Sequence, residues 1–484
     1  MCGIIGFVGT EDSPEVLKAL PIYAVDGLTG LQHRGTESAG LVGSDAKDRF
    51  HFDIVKGHGL VRDVFNEESI ARLYGSQLLI GHNRYSTAGK KAPAINCVQP
   101  FVVYTAIGMV ALAHNGELVD AKKKREEVMH AGVGLSTDTD SELIAQMIAK
   151  AVALNYKCRR DDQVGDISKE LAVTMSAINM SYSLLVMTFD RLYAIRDPFG
   201  NRPLSVGSVL DQKGNPVAYC AASETCAFPS SARFDFEVRP GEIVEISSKG
   251  IRSVCQMKPA APQAMCIFEY VYFARSDTIL EGQQVQTVRE ECGRILAEES
   301  HVEADLVSNV PDSSTAAAIG YSGRSGVPYQ PCLHRNSYVG RSFIQPSNEL
   351  RQCAIHRKFG VLRQNVDGKR IVLIDDSIVR GNTMRIIVKM LREAGAKEVH
   401  LRIASPPVRH PCFMGINIPT REELLAAHKD VNEITQYLKA DSVRYLSVEG
   451  LTKAVQTGTV KNPNFEVGHC TACLTGNYPT HIDF

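Results

Sequence analysis

Arg370-Ile371-Val372-Leu373-Ile374-Asp375-Asp376-Ser377-Ile378-Val379-Arg380-Gly381-Asn382-Thr383 governs the reading of the carboxyl-terminal half of this 484-residue chain. Its opening residues form an apolar run suited to a buried strand. That strand delivers two adjacent carboxylates, Asp375 and Asp376, at the edge where α/β sheets place their ligands. A loop carrying a hydroxyl and a glycine then enters a helix, whose apolar positions Met384, Ile387, Val388, Leu391 and Ala394 fall on one face. Gly395 is placed to end the helix, and Glu398 to Ala404 reads as the next strand. The result is a βαβ unit and hence a parallel sheet. Backbone N–H groups and the positive end of the helix dipole converge on the loop, which suits a phosphate, whereas paired carboxylates suit ribose hydroxyls. By themselves, two Asp before a polar loop fit a plain helix cap equally well. Further out, Asp305 to Val310 is a short strand running into Pro311-Asp312-Ser313-Ser314 and the helix-prone stretch Thr315 to Ile319. Arg421 to Lys439 reads as one or two surface helices.

Upstream of about residue 250 the pattern changes. Ile4 to Val8, Gln77 to Ile80, Met109 to Ala113, Leu184 to Phe189 and Leu192 to Ile195 are short apolar or alternating segments, with a helical stretch near Ser141 to Ala153. They predict stacked antiparallel sheets with helices outside. A hairpin-like pattern over Gly241 to Ile251 is followed by Lys258-Pro259-Ala260-Ala261-Pro262, a linker composition, so the expected domains are residues 2–250 and 265–484. Lys and Arg number 53 against 54 Asp and Glu, leaving no net field to draw nucleic acid or an anionic membrane. No apolar run reaches the roughly 18 residues of a span, and the longest, Phe101 to Ala113, is broken by Thr105 and Gly108. The start MCGIIGFVG carries no secretory or transit signal. The 13 cysteines are therefore expected as thiols, nucleophiles or metal ligands in a reducing compartment, the cytoplasm.

Cys2 follows the initiator Met, whose removal would leave a free α-amine beside the thiol. That is the arrangement of N-terminal nucleophiles, with an amine of pKa about 7.7–8.0 as general base. The plain alternative is that Cys2 merely opens a buried strand. Gly81-His82-Asn83-Arg84-Tyr85-Ser86-Thr87-Ala88-Gly89 adds an Arg that can fork onto an α-carboxylate. His114-Asn115-Gly116 adds a side-chain amide and a Gly N–H, the two donor kinds of an oxyanion hole. Asp138, Asp140 and Glu142 add carboxylates for an ammonium group. Singly these are a turn signal, a surface charge and a helix N-terminus; together they suit a substrate with an amino-acid head and a carboxamide tail.

With Gln32-His33-Arg34-Gly35 and Thr139-Asp140-Ser141-Glu142, these segments resemble the class II glutamine amidotransferases, whose fold is an α+β N-terminal nucleophile sandwich. The resemblance implies that Cys2 attacks the glutamine carboxamide and that Asn115 and Gly116 form the oxyanion hole. It also implies that Arg84 and Asp140 hold the carboxylate and amine, and that ammonia is released. Thr36, where relatives commonly carry Gln, departs from the pattern in a way expected to affect packing more than chemistry. The Arg370 to Thr383 string resembles the phosphoribosyl-pyrophosphate (PRPP) motif of type I phosphoribosyltransferases, an α/β fold with a parallel sheet. By that resemblance Asp375 and Asp376 bind ribose hydroxyls and help hold Mg2+, with Ser314 as a further metal contact. Ser377, Arg380, Gly381, Asn382 and Thr383 cradle the 5-phosphate. Tyr338-Val339-Gly340-Arg341-Ser342-Phe343-Ile344, with Gln345 and Pro346, resembles a mobile loop closing over PRPP.

Both modules on one chain resemble the glutamine PRPP amidotransferase family. Its reaction turns PRPP, glutamine and water into 5-phosphoribosylamine, glutamate and pyrophosphate at the first committed step of purine synthesis. The family implies an apolar passage for ammonia, Tyr85 placed to sense PRPP, feedback by purine nucleotides, and a homodimer or homotetramer. His469-Cys470-Thr471-Ala472-Cys473 contains a C-x-x-C that alone suits zinc, a redox pair or half of an iron–sulfur site. Cys266, and Cys412 in Pro411-Cys412-Phe413, alone read as buried thiols. All four match the cluster-bearing branch of the family, which implies Cys266, Cys412, Cys470 and Cys473 as ligands of a structural 4Fe-4S cluster. Many relatives in that branch carry a propeptide before the nucleophile; here Met removal alone is expected to mature Cys2. Two rival expectations are a class II amidotransferase with another acceptor and a non-catalytic PRPP or nucleotide sensor. The PRPP motif opposes the first, and the presence of both sets of chemical residues opposes the second.

Overall fold

Period-two alternation with both faces covered accounts for the strand β1 (Gly3–Gly9), where Ile4 and Val8 face one way and Ile5 and Phe7 the other, all fully buried. This arrangement is seen in a computed structural model that describes residues 2–10, 13–85, 95–155, 165–338, 355–416, 418, 420–460 and 467–482. Next come β2 (Ser38–Ser44), β3 (Asp53–His58), β4 (Leu78–Arg84), β5 (Phe101–Thr105), β6 (Gly108–Gly116) and β7 (Tyr182–Met187). They are followed by β8 (Leu192–Arg196), β9 (Ser205–Leu210), β10 (Pro216–Ala222), β11 (Ala232–Glu237), β12 (Glu242–Ser247) and β13 (Gly250–Gln256). They make two antiparallel sheets, ordered β11-β9-β10-β1-β4-β2-β3 and β13-β12-β8-β7-β6-β5.

Ile4, Val8, Val42 and Ile80 of the first sheet meet Ala111, Ala113, Leu185 and Val244 of the second in one core. Helix Pro14–Gly30 covers the outer face of the first sheet through Leu20, Ala24 and Leu28. Helices Asp140–Asn155 and Ser168–Ala177 cover the second through Ile144, Ile148, Leu171 and Met175. The expected sandwich with outer helices is the one observed.

The second half is built on four parallel strands, Leu306–Asn309, Arg370–Asp375, Glu398–Ile403 and Ser442–Tyr445, paired in that order. Helix Asn382–Glu393 buries Met384, Ile387, Val388, Met390 and Leu391 against the sheet, each contributing on the order of 1.5–3 kcal/mol. The stretch expected as one or two surface helices holds two short ones, Leu425–His428 and Val431–Leu438, after a turn Arg421–Glu423. The break follows from Asp430, whose carboxylate caps the N–H groups of Asn432 and Glu433 at 2.8 and 2.9 Å.

Residues 257–264 form no regular element but are pinned, with Ala260 N–H donating to Pro198 O and Ala264 N–H to Phe199 O, both at 2.8 Å. Met265–Cys266 then pairs in parallel with His469–Cys470, tying this stretch to the C-terminal segment. Among the described residues no helix is long and apolar enough to cross a membrane.

Candidate active site

Cys2 stands just before β1. Its N–H donates to Asn115 Oδ1 at 3.1 Å, and its carbonyl accepts from Arg34 Nε at 2.9 Å. Asn115 and Gly116 end β6. Asn115 is fully buried, and its Nδ2 has no hydrogen-bond partner among the described residues. An orphaned donor of this kind costs about 1–3 kcal/mol, and it becomes useful only where negative charge develops beside it. At Gly116 a Cβ would lie 2.0 Å from Ser181 O, so only glycine admits this close approach.

Pairing of Gly3 with Asn83 sets Arg84, the last residue of β4, beside Cys2. The Arg84 guanidinium is steadied by Cys97 O at 3.0 Å and Glu37 Oε2 at 3.4 Å. Asp140 opens helix Asp140–Asn155, accepts from Leu118 N–H at 3.0 Å, and stands 3.8 Å from His114 Nδ1. Of the carboxylates considered for an ammonium group, Glu142 is spent on its own turn, accepting from Ser136 and Thr137 N–H at 2.7 and 2.6 Å. The half-exposed end of the sandwich thus gathers Cys2, Arg84, Asn115, Gly116 and Asp140. Ser86 to Gly89 lie outside the described residues.

The parallel sheet supplies the second half of the site. A cavity of about 270 Å³ is lined on one side by Asp375, Asp376, Ser377, Arg380, Gly381, Asn382 and Thr383. Tyr85, Phe268, Tyr272, Phe273, Ile416 and Ile418 line its apolar side. Asp376 N–H donates to Asp375 Oδ1 at 3.0 Å, and Ser377 Oγ donates to Asp376 at 2.6 Å. Burial, and for Asp375 the neighbouring Asp376, push both carboxyls above the usual range, as expected of two adjacent buried carboxylates. Oxygen donors of this kind suit Mg2+. Gly381, with φ +76°, leads into helix Asn382–Glu393, and Arg380 Nε is paired with Glu423 at 2.6 Å.

Ser314 sits differently from expectation. Its hydroxyl is fully buried and donates to the carbonyls of Val310 and Ile374 at 2.7 and 3.1 Å. The neighbouring Ser313 lines the cavity and hydrogen-bonds Asp376. Tyr85 packs edge-on against Phe273, with ring centroids 6.1 Å apart, so the residue after Arg84 is also a wall of the second cavity. Val339 to Pro346 lie outside the described residues.

Cys266 and Cys470 are register partners in the short parallel pair, Cys473 follows in helix Ala472–Thr475, and Cys412 packs beside Met414. All four are free thiols. Burial pushes Cys266 up to about 11 against the pull of the buried Arg202, and Cys470 up to about 12, with the nearby Cys412 sulfur adding to the rise at each. Four sulfurs clustered beside the buried Arg202 guanidinium are a soft donor set that metal binding would deprotonate. Among the described residues, the only three ligand-type side chains mutually within 4.8 Å are His33, Glu224 and Cys226. Glu224 itself is committed elsewhere, to His33 at 2.8 Å, Arg34 at 2.5 Å, Arg275 N–H at 2.8 Å and Thr278 at 2.7 Å.

Residues 92–228 match the family described as a glutamine amidotransferase domain. The whole chain is 48% identical to the amidophosphoribosyltransferase of Rattus norvegicus, covering 100% of this chain and 98% of that one. Against the Bacillus subtilis amidophosphoribosyltransferase it is 41% identical, covering 99% and 94%. The chain belongs to the amidophosphoribosyltransferase family. Among solved structures it is similar to glutamine PRPP amidotransferase from B. subtilis complexed with ADP and GMP, with TM-score 0.84, 40% identity and coverage of 100% and 98%. A second similar structure is an allosteric regulatory enzyme of purine biosynthesis, with TM-score 0.85, 40% identity and coverage of 100% and 97%.

Within this chain one buried network carried no assigned role in the sequence. Arg34 is fully buried and grips Glu269 with two bonds of 2.9 Å while also pairing with Glu224. Glu269 opens the helical turn Glu269–Phe273, whose Tyr272 and Phe273 line the same cavity as Asp375 and Asp376. The Gln32-His33-Arg34-Gly35 segment marked Arg34 as part of a motif. Nothing local to either segment joins residue 34 to residue 269.

Proposed function

We propose that this chain makes 5-phosphoribosylamine, glutamate and pyrophosphate from PRPP, glutamine and water, the first committed step of purine synthesis. The observation carrying this reading is the pairing of two unlike half-sites. An orphaned buried amide at Asn115 stands beside Cys2, and a carboxylate-and-loop cavity is joined to it through Tyr85 and Phe273.

In the first half-site Arg84 and Asp140 hold the glutamine head. The Cys2 sulfur attacks the carboxamide carbon while the α-amine, freed by removal of Met1 and oriented by Asn115 Oδ1, takes the thiol proton. Asn115 Nδ2 and Gly116 N–H receive the charge that forms on the amide oxygen. Collapse expels ammonia, which leaves with the proton from the amine, and water then releases glutamate from the thioester. In the second half-site Ser377, Arg380, Gly381, Asn382 and Thr383 hold the 5-phosphate, and Asp375 and Asp376 hold the ribose hydroxyls. Ammonia attacks the anomeric carbon as pyrophosphate departs. The aromatic wall keeps water away from that carbon and keeps ammonia unprotonated.

Asp375 and Asp376 would hold Mg2+, with Ser313 in the position expected of Ser314; the metal supplies charge neutralisation for the departing pyrophosphate. Cys266, Cys412, Cys470 and Cys473 would hold a 4Fe-4S cluster, which supplies a structural tie between the linker and the C-terminal segment. The division into domains 2–250 and 265–484, a cytoplasmic setting, a homodimer or homotetramer, and inhibition by purine nucleotides complete the reading. The ADP and GMP in the B. subtilis relative support the last of these. The deciding experiment is Cys2→Ala: glutamine-dependent turnover should vanish while ammonium-dependent turnover persists. Equal loss of both would refute two separate sites.

A further inference from the structure

The backbone of the carboxyl-terminal half presses on the back of the oxyanion hole at one point. A Cβ on Gly415 would lie 2.7 Å from Gly116 C and 3.0 Å from Glu117 N, and Gly415 adopts φ +88°. Its N–H donates to the Glu117 carboxylate, which also feels the charges of Asp140 and Arg202. Glu117 is locked in place by its own backbone, exchanging bonds of 3.0 and 2.9 Å with Ser181. The neighbouring Leu118 N–H is the donor that fixes Asp140.

The loop bearing Gly415 is held from the other side as well. Met414 is buried, its carbonyl accepts from Arg202, its N–H donates to Cys412 Sγ at 3.4 Å, and its sulfur lies 3.9 Å from Cys470 Sγ. The Gly116–Glu117 peptide, which directly follows the Gly116 N–H, is therefore held by Ser181 through Glu117 and closely approached by Gly415, which fixes the Cα and carbonyl carbon of Gly116.

We infer that Gly415 and Glu117 are positioning residues for the glutamine half-reaction: the second domain supplies the backing that aims Gly116 N–H at the developing oxyanion. This rests on the reading of Asn115 and Gly116 as the oxyanion hole. The donor sits on a backbone whose direction changes with small shifts, and an oxyanion donor is worth about 10²–10³ in kcat, so a few tenths of an ångström here carry leverage. Because Cys412 lies three residues before Gly415, whatever group fixes the Cys412 sulfur also fixes this backing.

The test compares Gly415→Ala, Glu117→Gln and Asn115→Ala in the full chain. For Gly415→Ala, glutamine-dependent kcat should fall about 10- to 100-fold with the glutamine KM within about threefold of the parent. Binding of glutamate γ-semialdehyde, which forms an oxyanion-bearing adduct with Cys2, should weaken in proportion. Alkylation of Cys2 by iodoacetamide, which needs no oxyanion donor, and ammonium-dependent synthesis should stay within twofold. Glu117→Gln keeps the volume and should give a smaller fall of the same pattern, which preserves the test if Gly415→Ala does not fold. Parallel loss of ammonium-dependent activity, or undiminished semialdehyde binding in both variants, overturns the inference. If Asn115→Ala itself retains glutamine turnover, the oxyanion-hole reading fails instead.

Discussion

Truncating Asn115 to Ala should cost activity while leaving stability nearly unchanged. The side chain does two things: Oδ1 accepts the Cys2 N–H at 3.1 Å, and Nδ2 is buried with no partner among the described residues. Loss of the first costs about 0.5–1.5 kcal/mol, whereas removal of an unsatisfied buried donor returns about 1–3 kcal/mol. The small void left by truncation offsets part of that return. The expected net change in urea stability is within about 1 kcal/mol of zero, unusual for a fully buried polar residue, because losing a buried partner ordinarily destabilises. The rate should move far more. An oxyanion donor contributes about 10²–10³ in kcat, or about 2.7–4 kcal/mol, so PRPP-stimulated glutamine hydrolysis should drop by that factor. Pyrophosphate release driven by ammonium should stay near the parent rate. A loss of stability beyond about 3 kcal/mol would make Asn115 a structural residue, and a rate loss below about tenfold would leave its orphaned donor without a purpose; either result refutes the reasoning.

Replacing Asp375 and Asp376 together by Asn should suppress phosphoribosylamine formation from either nitrogen source, and near-normal PRPP affinity by equilibrium dialysis would count against the assignment. The same variant should be more stable than the parent at pH 7 without ligand. Carboxyls whose folded pKa values are raised stabilise at low pH and lose that contribution as pH rises through the folded values. Glu237 offers a cleaner case: burial pushes it up to about 7 against the pull of Arg196. Its contribution is complete below the unfolded value of about 4.3 and lost as pH rises through 7, so Glu237→Gln should gain about 1–3 kcal/mol on the parent between pH 5 and 8. An equal urea-midpoint difference at both pH values would exclude that account. Anaerobically prepared protein should contain iron and sulfide, lose both on exposure to air and unfold more readily afterwards; stoichiometric zinc without iron would overturn the cluster assignment.

Much of the fold was legible because both halves announce themselves locally. Period-two strands with Gly and Asn between them gave the sandwich, and the apolar strand, acidic pair and three-four spaced helix gave the parallel sheet. Where the reading slipped, a local choice was underdetermined. Ser313 and Ser314 are adjacent hydroxyls, and which one faces Asp376 depends on how the strand Leu306–Asn309 hands over to helix Thr315–Ser325. Over Arg421 to Lys439 the sequence left one or two helices open, and the carboxylate cap at Asp430 settles it as two.

The sequence by itself recorded which residue types and short motifs are present: Cys2, the Asn115-Gly116 pair, an acidic pair before a Gly-bearing loop, and a C-x-x-C with further cysteines elsewhere. These are encoded in residue type and short spacing, where local geometry acts. Only the tertiary structure decided how the two halves depend on each other. Arg34 meets Glu269, Tyr85 meets Phe273, and Gly415 meets Gly116, residues separated by well over a hundred positions yet brought within contact. The physical reason is that such contacts depend on close packing of buried surfaces, and no periodicity or motif within either segment records which distant backbone will fill the space beside it.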